Sequence, residues 1–293
     1  MKRAAFALIL ASILWGTTGT AASFLPTDVS PLAVGSATMG VGGLLLFAIS
    51  MRPAISALRD PAVLRWLLVG AAGVIVYPLA FYAAMNFAGV AIGNVVALGS
   101  SPVFAASFEW ACEHRRPGRV WIACTLTAIV GIGLLAFGGS ERGDRPAASV
   151  VSGVALGLVA GIAYALYTYA SSRAITLGQP SRGVMGGMFG LGALALLPVL
   201  LVTGAPLLQS ALTVGISVYL AVGPMLVAYL LFGLALGTLR SSAATTITLI
   251  EPLVATVLAV LVVGERLAVV GWVGLALILA GVTAMTAARH PDK

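Results

Sequence analysis

Long apolar stretches, separated by short clusters of charged and turn-forming residues, run the whole length of the chain. Taking those clusters as limits gives ten stretches, near 4–25, 31–51, 63–85, 90–112, 119–138, 150–173, 183–203, 212–236, 241–263 and 268–288. Continuous apolar runs of about 20 residues predict membrane-spanning helices, whereas a barrel would show alternating segments of about ten residues. Backbone groups at that depth must be satisfied internally, and a helix does so within one segment. The connections are short, and the longest exposed one, Gly138 to Ala148 with Glu141, Arg142, Asp144 and Arg145, is the only candidate linker.

The second half repeats the first at a shift of about 150 residues. Asn94 to Pro102 lies over Ala244 to Pro252, Trp15-Gly16-Thr17-Thr18 over Tyr164-Ala165-Leu166-Tyr167, and Arg119-Val120-Trp121 over Val270-Gly271-Trp272. Five spans per half is an odd number, so the second half enters the membrane upside down relative to the first. The expected fold is therefore an all-α integral membrane protein of ten transmembrane helices in two inverted five-helix repeats. Residues 1–140 form the first repeat, 141–149 an extracytoplasmic linker and 150–293 the second repeat. Inverted repeats of this kind point to a secondary transporter with its site near the mid-plane, between the halves.

Composition removes other classes. With 60% hydrophobic and 9% charged positions, the chain has far fewer charges than the roughly one quarter of a soluble domain. A net charge of +7 suggests a nucleic-acid partner at first sight, but the basic residues sit singly in the gaps and form no patch. They report topology instead. With the N-terminus in the cytoplasm, the inside segments hold Lys2, Arg3, Arg52, Arg59, Arg65, Arg115, Arg116, Arg119, Arg173, Arg182, Arg240, Arg289 and Lys293, and only Arg142, Arg145 and Arg266 fall outside. Thirteen against three predicts both termini in the cytoplasm of a bacterial-type inner membrane. The start of the chain, Met1-Lys2-Arg3 and an apolar run to Ser23, has the outline of a signal peptide. Span six repeats span one and cannot be a signal, which argues against cleavage. Cys112 and Cys124 lie in different spans without metal spacing. Both are expected as free thiols, with no metal and no cofactor.

Further along, Ile250-Glu251-Pro252, Gly264-Glu265-Arg266, Gly271-Trp272-Val273-Gly274 and Ala280-Gly281-Val282 form a series, with a weaker copy in Ser101-Pro102, Glu113 and Trp121. That series resembles the EamA branch of the drug/metabolite transporter superfamily over nearly the whole chain, and within it the aromatic amino-acid exporters of the YddG type. The resemblance implies a ten-helix bundle that moves small metabolites, often exporting amino acids, by alternating access. The first-half copy departs from the series, since Ser101 stands where the second half has Glu251 and the Pro to Glu spacing is two residues shorter. A function carried by a glutamate at that position does not transfer.

Glu251 is the acidic residue placed well inside a span. An ionised carboxylate in a bilayer is costly and marks a cavity or a partner. Three readings stand: a protonatable group that couples export to inward proton flow, a partner for a substrate ammonium, or a protonated carboxyl bonded to a neighbouring helix. Glu109 is one turn from a helix end, where its side chain can reach the interface. Pro102 and Pro252 free the carbonyls of Leu98 and Thr248. Those carbonyls either face a common cleft that suits an ammonium, with the kinks as hinges, or are satisfied again by hydroxyls. Pro78 and Pro224 repeat the pattern less closely in spans three and eight.

Asn94, Leu98 and Ser101 share one helix face, as Ala244, Thr248 and Glu251 do on the repeat-related helix. A pseudo-twofold axis brings such faces together as a cavity wall, or as polar glue between helices. Of the aromatics placed along spans (Trp15, Tyr77, Tyr82, Tyr164, Tyr167 and Tyr229), Trp15, Tyr82 and Tyr164 are the first candidates, because the resemblance puts helices one, three and six beside the cavity. Small-residue stripes at Gly153, Gly157 and Gly161 and at Gly233 and Gly237 read as packing within the bundle, so no oligomer is required.

No Lys or Arg lies at mid-depth to receive a phosphate, which favours a neutral or zwitterionic solute. The substrate-binding set is thus Trp15, Tyr82, Asn94, Leu98, Ser101, Tyr164, Thr248 and Glu251, the hinges are Pro78, Pro102, Pro224 and Pro252, and the partners are an amino acid or similar metabolite, the lipid bilayer and protons. An intramembrane enzyme is disfavoured: His114 and His290 lie at helix ends, and paired acids or a His-Glu-x-x-His run are missing. The expected function is export of small amphipathic metabolites, amino acids foremost. Export of drugs or other metabolites and channel-like facilitation are the alternatives.

Overall fold

Proline and hydroxyl or carboxylate residues start several helices where the apolar stretches begin. Ser30 accepts a hydrogen bond from the Ala33 amide (3.2 Å) ahead of Pro31, and Asp60 accepts one from the Ala62 amide (3.0 Å) ahead of Pro61. Ser210 and Thr213 form a capping box. The structure is a computed structural model that describes residues 2–113, 119–138, 146–236, 248 and 250–288. No strand is found among the described residues. In chain order the α-helices are α1 (Lys2–Gly16), α2 (Thr18–Ser23), α3 (Pro31–Ser36), α4 (Gly42–Ile49), α5 (Met51–Arg59), α6 (Pro61–Ala88), α7 (Val90–Glu113) and α8 (Arg119–Gly138). They continue with α9 (Ala147–Thr176), α10 (Ser181–Thr203), α11 (Ala211–Leu220), α12 (Ala228–Leu236), α13 (Ile250–Leu258) and α14 (Val269–Ala288).

Seven helical segments are long and apolar enough to cross a bilayer: Phe6–Ser23, Pro31–Ile49, Pro61–Ala88, Val90–Cys112, Ala147–Thr176, Ser181–Thr203 and Ala211–Phe232. Shorter apolar helices at Ile122–Leu134, Ile250–Val263 and Val269–Gly281 fall on the fifth, ninth and tenth predicted stretches. The chain is an all-helical, multi-pass membrane protein. Helix α9 begins at Ala147, so three residues assigned to the linker are already helical. Linker residues Glu141 to Arg145, the ninth stretch before Thr248 with Ala244, and the termini beyond Ala288 lie outside the described residues, as do His114, Arg115, Arg116, Gly237 and Arg240.

Irregular turns interrupt several spans. The first is broken at Thr17, and π-helical turns at Ala37–Val41, Ala221–Val227 and Ala259–Val263 join α3 to α4, α11 to α12 and end α13. The second contains Pro224, which has no N–H to donate, so the local hydrogen-bond ladder cannot keep its α-helical spacing.

Small residues set how closely the helices approach. A Cβ on Gly73 would meet the Ala163 carbonyl at 2.6 Å, and one on Gly153 the Ala88 amide at 2.6 Å, so α6 lies against α9 with backbones nearly touching. Gly157 faces Val96, and Gly161 faces Ser100 and the Ala97 carbonyl, which packs α7 on α9. The predicted Gly153-Gly157-Gly161 stripe is therefore an internal packing surface. Helix α8 rests on α14 where a Cβ on Gly131 would lie 2.7 Å from the Gly274 carbonyl, and α4 rests on α10 where a Cβ on Gly43 would lie 2.8 Å from the Phe189 carbonyl. Helix α13 packs on both α1 and α7.

Arginines gather at one end of the bundle. The guanidinium groups of Arg65 and Arg173 both lie over the Trp66 ring, at 5.5 and 5.6 Å. At the same end Gln179 donates to Asp60 (3.4 Å) and Arg182 to the Ile49 carbonyl (3.5 Å).

Candidate functional site

Five helical segments bring aromatic rings into one connected series inside the bundle. Starting on α6, Tyr82 meets Phe81 and Phe81 stacks on Tyr77, with centroids 5.5 and 5.2 Å apart. Tyr77 reaches Tyr164 (5.5 Å) and Tyr167 (5.9 Å) on α9, which are 5.0 Å from each other. Tyr167 contacts Phe189 on α10 (5.7 Å), Phe189 contacts Tyr229 on α12 (5.0 Å), and Tyr229 meets Trp15 on α1 edge-on (5.3 Å). The Tyr167 and Tyr229 hydroxyls pair at 3.1 Å.

Trp15 and Tyr164 differ in how they are held. Trp15 is 9% exposed, and its Nε1–H donates to the Pro224 carbonyl at 2.9 Å. Tyr164 is half-buried on the core. Tyr82 is buried, with its hydroxyl 3.3 Å from that of Thr38.

Glu251 sits on α13, where Gly16 of α1 approaches its backbone: a Cβ on Gly16 would lie 3.0 Å from the Glu251 carbonyl. Its side chain is 8% exposed and lies within electrostatic reach of Tyr77, Tyr164 and Tyr229. Among the described residues no side chain or backbone group hydrogen-bonds or ion-pairs with its carboxyl. A buried carboxyl left unsatisfied by protein is costly, so the group calls for a proton, water or a cationic ligand. The reading of Glu251 as bonded to a neighbouring helix has no support among the described residues.

The remaining candidates divide. Asn94 is fully buried, and neither its amide nitrogen nor its oxygen has a partner. Ser101, on the same helix, turns its hydroxyl back to the Leu98 carbonyl at 2.8 Å. That is the carbonyl Pro102 deprives of its helical donor, and the Ser101 hydroxyl takes up one of its two acceptor positions. Thr248 is helical and half-buried. Among the described residues no hydrogen bond ties Asn94 or Ser101 to the aromatic series. Of the proposed hinges, Pro78 lies within the unbroken α6, its carbonyl facing Gly35. Pro224 sits in a π-helical segment, and Pro252 lies in α13, its carbonyl accepting from the Thr256 hydroxyl at 2.8 Å.

Sequence reasoning did not single out Phe189, and it quoted Glu265 as part of a motif without giving it a role. Phe189 is fully buried at the centre of the aromatic series, and nothing distinguishes it in sequence from other apolar residues of its span. Glu265 follows Gly264, whose φ of +79° turns the chain out of the helix. Its carboxylate accepts from the amides of Val90 (2.5 Å) and Ala91 (2.9 Å), capping α7 from the opposite half of the chain. The Gly264-Glu265 signature is thus a joint between the halves.

Comparison with known proteins agrees with this architecture. The profile of the EamA-like transporter family matches residues 2–137 and 151–287. The chain is similar to the uncharacterized transporter YwfM of Bacillus subtilis, with 33% identity over 98% of this chain and 94% of that one. It is also similar to an uncharacterized transporter of Archaeoglobus fulgidus, with 28% identity over 96% of both chains. A solved crystal structure shares the fold, with a TM-score of 0.67 and 21% identity over 98% of each chain.

Proposed function

This chain belongs to the EamA-like transporter family, and on that premise we propose that it exports small amphipathic metabolites, amino acids foremost, across a bacterial-type inner membrane. It works as a secondary transporter of ten helices in two inverted repeats, with both termini cytoplasmic and alternating access between them. The observation that carries the substrate class is the buried Glu251 carboxyl, which has no hydrogen-bond or ion-pair partner among the described residues, in a bundle that also holds a connected series of buried aromatic rings. A carboxylate beside aromatic faces suits an ammonium group joined to an apolar body, with cation–π attraction adding to the charge pair. The separate matches of the two halves to one family profile support the repeat. The gathering of arginines at one end supports the orientation.

Glu251 serves either the substrate amine or a coupling proton, and one experiment separates these roles from a passive one. Radiolabelled amino acids are followed into and out of proteoliposomes, with and without an imposed pH gradient, for the wild type and for Glu251→Gln. Saturable movement of aromatic or other neutral amino acids that responds to the gradient, with the response lost in Glu251→Gln, is the expected result. No movement across the panel rejects amino acids as substrates. Movement and gradient response unchanged by the substitution remove Glu251 from the mechanism.

A further inference from the structure

At the arginine-rich end of the bundle, well away from the aromatic series, the end of α4 and the start of α10 leave a groove of about 630 Å³ between them. Ile49, Met51 and Arg52 line it from one segment, and Pro180, Ser181 and Arg182 from the other. The floor is fixed by close backbone packing, since a Cβ on Gly183 would lie 2.6 Å from the Pro53 carbonyl. Both arginines are exposed. Arg182 makes one long hydrogen bond, to the Ile49 carbonyl at 3.5 Å, and Arg52 has no partner among the described residues. The nearby carboxylate that could neutralise them, Asp60, is engaged with the Ala62 amide and Gln179. No side chain caps the N-terminus of α10, so its first amides add positive potential at the same place.

We propose that this groove binds the headgroup phosphate of an anionic phospholipid from the adjoining leaflet. Depth argues for a lipid over a soluble anion. The groove begins where the apolar segment Pro31–Ile49 ends, and Ile49 and Met51 stand 45% and 47% exposed beside the arginines. Helix α5 turns the amphipathic face of Ala54 and Ala57 inward and leaves Arg52 and Arg59 outside, as an interfacial helix does. A ligand with a phosphate for two guanidinium groups and acyl chains for Ile49 and Met51 satisfies both halves of the site, in the manner of basic pockets between spans. The bound lipid would bridge span two of the first repeat and span seven of the second.

The test is native mass spectrometry of the full-length protein in detergent, titrated with phosphatidylglycerol or phosphatidylcholine. Phosphatidylglycerol is expected to stay bound where phosphatidylcholine does not, and the double variant Arg52→Gln/Arg182→Gln is expected to weaken it roughly tenfold. Arg65→Gln removes the same charge at the same end but outside the groove and is expected to leave binding unchanged. Ser181→Glu, with both arginines intact, places a repelling charge in the groove and gives an independent route to the same loss. Equal retention of the two lipids, or equal loss in Arg65→Gln, overturns the proposal. Displacement by inorganic phosphate with no preference between the lipids identifies a soluble-anion site and also overturns it.

Discussion

Trp15 was marked by its sequence position as a cavity aromatic, and the structure gives it a second duty as a strut. Its indole N–H holds the carbonyl of Pro224, a residue 209 positions away that lies in a π-helical turn. Trp15→Phe keeps a large ring against Tyr229 and Phe232 but removes the donor. The Pro224 carbonyl then loses its side-chain donor inside the bundle, a loss of about 0.5–1.5 kcal/mol. Denaturant unfolding in detergent should show that loss, and an unchanged stability would mean that another group satisfies the carbonyl. Glu251 was legible because a carboxylate in an apolar run stands out in any sequence. Phe189, which connects Tyr167 to Tyr229, was not legible, because its place depends on long-range packing that one more phenylalanine in a span does not reveal. The Leu98 carbonyl illustrates a different limit. Proline identifies the orphaned acceptor, but only geometry shows that the neighbouring Ser101 hydroxyl has taken it.

The spans themselves were read within a few residues of where the described helices begin and end, because length in a bilayer is set by thickness and the breakers lie at the surfaces. Their internal irregularities were not, since a π-turn answers to what packs on it: Gly40 faces Leu196 and Gly42 faces Met225 within or beside two of these turns. Short α5 was hidden, since its mixed polar and apolar residues fall in the gap between the second and third predicted stretches. The cap on α7 is the clearest case of a connection between elements that no local pattern contains. Glu265 serves the helix of the opposite half, bonding two amides that α7 cannot satisfy itself. Glu265→Gln keeps an acceptor but removes the charge facing the helix dipole and is expected to cost about 0.5–1 kcal/mol. Glu265→Ala leaves both amides open and is expected to cost about 1–2 kcal/mol. Hydrogen exchange at Val90 and Ala91, rising in that order with a matching fall in melting temperature, checks the ranking. Protection that does not change in either variant would assign the capping to another group.

Across the molecule, the repeat predicts a pair of opposing ends that open in turn, and the contacts describe the two ends unequally. One end gathers Arg65, Arg173, Trp66, Asp60 and Gln179. The other is joined where Glu265 caps α7 and where the Ser149 hydroxyl donates to the Phe87 carbonyl at 2.8 Å. That the two halves resemble each other was legible, and both match one family profile, because each half must satisfy the same bilayer with similar segments. Which end a given state closes was not, because two packings of one bundle differ by only a few kcal/mol. If access alternates, the Glu265 joint must break once per cycle, and a covalent substitute for it should stop transport. In a Cys112→Ser/Cys124→Ser background, Ala91→Cys with Glu265→Cys places two thiols across the joint. A short, cleavable thiol cross-linker should halt substrate movement in proteoliposomes, and reduction should restore it. Each single-cysteine variant treated the same way should keep transporting. Undiminished flux through cross-linked protein would mean that this joint stays closed throughout the cycle. The moving parts would then lie in the other contacts between the halves, beginning with α1 against α12 at Trp15.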